Sequence, residues 1–332
     1  MGNNLPAKKY KVGERTERFL QYTLSHTGTD ANDSHFIDLA AGLSAVNKRF
    51  YRQGLYYYIK SISVTETTGD AKVRFGTAPD VWMIPQAWKL GKRNWDKMND
   101  MAARGLPGGA KGVGGKYHDF KIYLNANHRT DADVAVPSNG PESMDGTPDY
   151  DPEEWVYSKI NSLFPANDDE DNDEDRDTFD LMLLGTSHTA GAGGADEFAA
   201  VSLALSYLKS KNITAGTGSR DLPYQFDNIG DDPMLRLFDT TGNHQDTLDD
   251  LQDDNDIAPY AAGSTYADTI MRAQCSVGPT SAKMATMPGF CVPFGLLEVL
   301  TTSMLDQGDN QITVLIEMAP GPYHGVYAER LE

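Results

Sequence analysis

The sequence predicts an all-β fold, an antiparallel sandwich with helices inserted in its connections. Three observations carry that prediction. Short segments with period-two alternation recur toward both ends of the chain, 31 glycines and 17 prolines supply turns, and only two stretches keep a helical period. The regular β–α alternation of a nucleotide-binding sheet is missing, there is no internal repeat, and 332 residues are within reach of one large β domain.

The elements follow in order. Residues 1–18 carry five cations with little apolar content and read as an extended basic arm. RFLQYTLS (18–25) and HFIDLA (35–40) are short aromatic and β-branched strands separated by a polar turn. LYYYIKSISVT (55–65) alternates along its length, with Tyr56, Tyr58, Lys60, Ile62 and Val64 on one face and Leu55, Tyr57, Ile59, Ser61 and Ser63 on the other. AKVRFGT is its expected hairpin partner across the turn ETTGD. Within 81–105, Trp88, Trp95 and Met98 share one face of an amphipathic helix that Gly105 ends. KYHDFKIYLNA predicts a strand through Phe120, Ile122 and Leu124, and TFDLMLLGT predicts another. ADEFAAVSLALSYLKSKN (195–212) reads as a second helix. FCVPFGLLEVLTTS (290–303) and NQITVLIEM (310–318) close the fold as strands. The expected organisation is a basic arm at 1–18, a single domain at 19–318 with long loops at 81–116, 128–153 and 165–178, and an extended tail at 319–332. That tail is too polar to add core and is expected to lie across a neighbour.

Charge is divided along the chain. Residues 1–129 hold 20 of the 29 Lys and Arg but only 11 of the 48 Asp and Glu, whereas the whole chain is −19. Such asymmetry speaks of partners and solvation rather than of fold. No run approaches the apolar length of a membrane-spanning helix and the start has no signal-peptide character, so a soluble chain with no membrane partner is expected. Cys275 and Cys291 are too few for a disulfide framework and are expected to be buried thiols.

Catalytic motifs fail at their defining positions. The glycine-rich loop at 105–116 has Ala110 where a phosphate loop needs its first glycine and Tyr117 where it needs Ser or Thr. GTSHTAG (185–191) has Thr189 where a nucleophile elbow needs glycine, and the seven histidines show no metal spacing. No enzymatic activity is expected. Asp169, Asp171 and Asp173 match the opening of a calcium loop, but Glu174 occupies its glycine position and Asp180 its closing Glu position. These three aspartates remain a candidate loose Ca²⁺ site on an acidic loop, and no other cofactor is expected.

The strongest functional signal is cationic. Lys89, Lys92, Arg93, Lys97 and Arg104 line one side of the first helix, Lys111 and Lys116 follow in the glycine-rich loop, and Lys8, Lys9, Lys11, Arg15 and Arg18 occupy the arm. Neutralising phosphates needs only such density and accessibility, so a non-specific nucleic-acid partner is expected.

A short basic N-terminus, a run of antiparallel strands, the Trp-rich insertion DVWMIPQAWKLGKRNWDKM, long loops and a closing apolar strand before the tail ITVLIEMAPGPYHGVYAERLE form a recognisable layout. It resembles the single jelly-roll capsid proteins of small circular single-stranded DNA viruses. The resemblance implies an eight-stranded jelly roll, self-assembly into an icosahedral virion in the host cell, and an arm that faces the packaged genome, with the acidic loops outside. The arm here is shorter and less arginine-rich than such families often carry. Independently, the content of Tyr, Trp, Phe and Met and the long loops fit surfaces that meet other copies of the chain. The competing reading is a calcium-dependent β-sandwich binding module of spike or adhesin type.

Overall fold

The computed structural model describes residues 16–26, 32–66, 70–105, 119–130, 134–140, 154–161, 178–185, 200–211, 268–278, 283–303 and 310–331. These residues are mostly strand, and the sheets are antiparallel apart from one short parallel pair, as an all-β chain requires.

The first sheet joins β1 (Phe19–His26), β12 (Asn310–Met318) and β3 (Leu55–Glu66). Along β3 it continues to β9 (Met284–Pro288), β10 (Cys291–Pro293) and β15 (Ala328–Arg330). The second runs β2 (Asn32–Asp38), β11 (Leu296–Ser303), β4 (Ala71–Thr77), β8 (Ile270–Val277). Alternate side chains of both sheets meet in one apolar core: Leu20, Tyr22 and Leu24 from β1, Ile312, Val314 and Ile316 from β12, Val73 and Phe75 from β4, Leu297 and Val299 from β11.

Consecutive strands tend to change sheets, and this overturns the expected hairpin of β3 with β4. Both edges of β3 are taken, by β12 and β15 on one side and by β9 and β10 on the other, so the chain crosses to the second sheet to form β4 beside β11 and β8. The predicted alternation within β3 also changes phase. Glu317 pairs with Ser61 but Met318 with Ile59, so Lys60 is an extra residue, and this bulge turns both Tyr57/Ile59 and Ile62/Val64 inward. Gly289 lies against the bulge, donating its N–H to the Lys60 carbonyl at 3.0 Å; a Cβ there would overlap the Ile59 carbonyl.

Other boundaries move for local reasons. The strand expected to reach residue 40 stops at Asp38, whose carboxylate accepts the N–H groups of Ala40 and Ala41 and starts an unpredicted helix, α1 (Leu39–Asn47). The single strand expected over 290–303 is split by Phe294 and Gly295, both at positive φ (62° and 74°), which carry the chain from β10 in one sheet to β11 in the other. Strands β8 and β9 were not predicted. The tail does not stretch away: β13 (Pro320–Gly321) and β14 (Gly325–Val326) pair, β15 adds to β3, and Val326 enters the sandwich core. Tyr51 donates its hydroxyl to the His324 carbonyl at 2.9 Å and its ring packs edge-on against Tyr323.

The connection from β4 to β8 builds a second layer. It contains α2 (Met83–Gly105), α3 (Ala126–Thr130), β5 (Lys159–Asn161), β6 (Thr178–Met182), β7 (Ala200–Ser202) and α4 (Leu203–Lys211). Trp88 and Trp95 of α2 pack with Phe120, Ile122, Leu124, Leu183, Leu203 and Phe294 in a separate apolar cluster, which Phe36 joins from β2. Phe120, Ile122 and Leu124 are buried as their alternation predicts, yet they form no named strand. Only Tyr123 bridges, to Met182. The second predicted helix begins late, at Leu203, because Ala200–Ser202 pair in parallel with β6 and the Ser202 hydroxyl accepts the Leu205 N–H.

Buried polar groups fasten this layer. The Asp38 carboxylate also accepts from Gln53 Nε2 at 3.0 Å and Trp155 Nε1 at 2.9 Å, while Gln53 Oε1 accepts the Ile122 N–H at 2.7 Å. Desolvation dominates these bonds and pushes the Asp38 carboxyl up to about 6. His128 Nδ1 accepts the Leu124 N–H at 2.9 Å, which leaves the proton on Nε2, facing the Tyr157 hydroxyl at 3.2 Å, and its ring stacks on Phe36. Burial pushes this imidazole down to about 3. It is a satisfied core histidine.

Candidate nucleic-acid interface

Helix α2 owes its amphipathic character to Trp88, Trp95 and Met98, which face the second core and leave the opposite side outward. Of the cations expected there, Arg93 and Lys97 are exposed and Lys89 is half-buried. Lys92 is engaged in an i,i+4 pair with Asp96, its Nζ 2.9 Å from the carboxylate. Asp100 also lies on this helix and Arg104 in its last turn. The face is therefore a mixed surface with a cationic excess rather than a purely basic one. Among its described side chains, Arg93 and Lys97 are the exposed cations.

Residues 16–18, expected in the arm, are tied into the fold. Arg18 donates no charge to a loose segment: its carbonyl accepts the Met318 N–H at 2.9 Å, and its guanidinium helps hold the Glu317 carboxyl below the usual range, after the direct bond from Lys60. Thr16 and Glu17 are likewise tied, to the His324 carbonyl and the Asn47 side chain. Lys8, Lys9, Lys11, Arg15, Lys111 and Lys116 lie outside the described residues, as do Asp169, Asp171 and Asp173. Among the described residues no group of three or more His, Cys, Asp or Glu side chains is gathered as a metal site. Cys275 and Cys291 are half-buried rather than fully buried, and burial pushes each thiol up to about 11.

Two cations outside the candidate set share an outward sheet face. Lys72 and Arg74 alternate with the buried Val73 and Phe75 on β4, and across the ladder they neighbour Thr302 and Leu300 on one side and Ser276 and Gln274 on the other. No carboxylate among the described residues is within ion-pair distance of either. The signal was present in the alternation of AKVRFGT, which assigns both cations to the side away from the core. Three side chains that do carry buried or half-buried charge, Lys121, Asp119 and Arg129, serve the inserted layer instead. Lys121 lies 4.5 Å from the Trp155 ring centroid, Asp119 is 3.9 Å from Arg52, and Arg129 is 2.7 Å from Asp180.

Chemically, these surfaces can attract phosphates through Arg93, Lys97, Lys72 and Arg74 without reading bases, because nothing in their arrangement selects a base edge. No family model matches the sequence, and no curated protein or solved structure is found to be similar to it.

Proposed function

We propose that this chain is a coat protein, a single jelly roll that assembles with many copies of itself into an icosahedral shell around nucleic acid in a virion. The observation that carries the reading is the strand order. One sheet runs β1-β12-β3-β9 and the opposing sheet β2-β11-β4-β8, which is the order obtained when an antiparallel ribbon pairing first with last strands is rolled into two sheets. The long connection between β4 and β8 supplies a further layer without interrupting either sheet. Net positive charge in the first 129 residues supports a polyanion on one side of the subunit, with the arm cations Lys8, Lys9, Lys11 and Arg15 as the main contacts and Arg93 and Lys97 as auxiliaries.

The test is negative-stain microscopy of the purified chain together with its A260/A280 ratio, before and after a high-salt wash. Closed particles of uniform size with salt-removable nucleic acid are expected. A chain that stays monomeric with and without Ca²⁺ overturns the proposal. A stoichiometric Ca²⁺ site without particles would instead support the binding-module reading.

A further inference from the structure

We infer that Lys121, Asp119 and Arg52 form a binding site for hydrogen phosphate, placed where the inserted layer meets the loop before β3. The inference goes beyond the coat-protein reading and does not depend on it. Residues 119–121 run beside 156–158, the Lys121 N–H donating to the Ser158 hydroxyl and the Ser158 N–H to the Lys121 carbonyl. Phe120 enters the second core, while Asp119 and Lys121 are directed at Arg52 and Phe50.

The cluster is firmly held, yet its polar atoms are left largely unused. Lys121 is 8% exposed, and its ammonium lies 4.5 Å from the Trp155 ring centroid and 5.9 Å from that of Phe50, contacts that hold a cation but accept few of its protons. Its hydrogen bond goes to the Val156 carbonyl at 3.3 Å, so two of its three N–H groups have no acceptor among the described residues. Asp119 Oδ2 is buried and accepts no hydrogen bond: Arg52 Nε is 3.9 Å away, beyond hydrogen-bond reach, and Lys121 makes no ion pair with it. The other charged cluster of the layer is engaged directly, with Asp180 taking Arg129 Nε at 2.7 Å. Desolvation acts on both unused groups, raising the Asp119 carboxyl and lowering the Lys121 ammonium.

These groups fix the chemistry of the ligand. Two N–H groups of Lys121 and the guanidinium fork of Arg52 are available against one acceptor, Asp119 Oδ2, so the ligand is rich in acceptors and has a hydroxyl to give the carboxylate. Hydrogen phosphate keeps a P–OH at neutral pH and meets both demands. Sulfate and chloride have no proton to donate, and neither has a nucleic-acid phosphodiester. The remaining charges nearby are already engaged. Asp38, which acts on Lys121 through space, accepts from Ala40, Ala41, Gln53 and Trp155, and Lys92, which acts on Asp119, pairs with Asp96. The Arg52 side chain, 66% exposed against 11% for Asp119, is the solvent side of the cluster and the path by which the anion enters.

The test is isothermal titration calorimetry of the full-length, phosphate-free protein at neutral pH and constant ionic strength, with sodium phosphate and sodium sulfate as the probes. One phosphate per chain is expected, bound at least ~10-fold more tightly than sulfate, because sulfate leaves Asp119 Oδ2 without a donor. Asp119→Asn puts an amide in place of the carboxylate, so the preference for phosphate over sulfate is expected to vanish, a change of selectivity that a folding defect does not produce. Arg52→Gln is expected to weaken phosphate binding at least ~10-fold. Lys283→Gln removes an exposed cation just before β9 and leaves binding unchanged. If Asp119→Asn does not fold, the Arg52 and Lys283 variants carry the comparison. No saturable phosphate binding means that water fills the gap and overturns the inference. Equal affinity for sulfate, an unchanged preference in Asp119→Asn, parent-like binding in Arg52→Gln, or an equal loss in Lys283→Gln overturns it as well.

Discussion

Between the two sheets, cohesion comes from rows of aliphatic and aromatic side chains: Ile62, Val64, Ile312, Val314 and Ile316 of one sheet against Val73, Phe75, Leu297 and Val299 of the other. Beneath the inserted layer, apolar packing around Trp88 and Trp95 is supplemented by a seam of buried polar groups, Asp38, Gln53, Trp155, His128 and Tyr157. Apolar contact is non-directional and insensitive to pH, whereas a buried carboxyl or imidazole needs one geometry and makes stability depend on pH. The comparison teaches that the sandwich tolerates acid and shape-conserving substitution, while the layer depends on a few atoms being correctly charged. It also locates the most fragile point of the sandwich, which is backbone rather than side chain.

That point is Gly289. In Gly289→Ala the new methyl meets the Ile59 carbonyl, and neither β9 nor β10 can retreat without breaking its ladder to β3. The expected loss is about 4 kcal/mol or more, seen as insoluble expression or a collapsed denaturant midpoint. Near-parent stability would mean that the bulge at Lys60 is not a fixed part of the sandwich.

The layer is expected to yield to acid through His128. Its folded value of about 3 lies below the ordinary 6.5, so the neutral ring contributes stability that is complete above pH 6.5 and lost progressively as pH falls toward 3. Asp38 acts in the opposite sense. With a folded value of about 6 against 3.8, its buried charge weakens the fold above pH 6, and stability returns as pH falls from 6 to about 4. The two nearly offset until Asp38 saturates near pH 4; below that His128 alone costs stability, about 1–2 kcal/mol between pH 4 and 3. Compared with parent by urea unfolding at each pH, His128→Gln should lose less stability on acidification and should not show the added loss between pH 4 and 3. Parallel pH profiles would show that His128 is not buried neutral.

Asp38→Ala is expected to cost about 3 kcal/mol at pH 7, less than the full hydrogen-bond inventory because it also removes a buried charge. It uncaps α1 and orphans the donors of Gln53 and Trp155, so the near-ultraviolet signal of Trp155 should change with it. A loss below about 1 kcal/mol would remove Asp38 from the seam.

The same division governs what could be read from the sequence. Strands β1, β4 and β12 were legible because their period-two alternation is enforced by burial on one face. The apolar face of α2 was legible for the corresponding helical reason. Pairing was not, because the hairpin of β3 with β4 is the local solution and the occupied edges of β3 are set by strands more than 200 residues away. Phase was lost at Lys60, where one bulged residue reverses which side chains point inward. Of the candidate cations, composition placed an excess on α2, but not that Asp96 pairs with Lys92, nor that Thr16 and Glu17, assigned to the arm, are tied to the His324 carbonyl and the Asn47 side chain. Lys72 and Arg74 were visible in an alternation that had been used only to assign a strand.

The smallest effect expected belongs to the outer side of the layer. Lys92 and Asp96 are both substantially exposed, so their pair is screened by water and salt, and Asp96→Asn should change thermal stability by only about 0.3–0.5 kcal/mol. Its consequence for binding is larger than for folding. Removing the carboxylate frees the Lys92 ammonium beside Arg93 and raises the charge of the helix face by one. If that face meets phosphate, the salt dependence of nucleic-acid binding should steepen by up to about one counterion while the melting temperature barely moves. If affinity and salt slope are unchanged in filter-binding titrations, α2 presents a solvated surface, and its only role is to bring Trp88 and Trp95 to the second core.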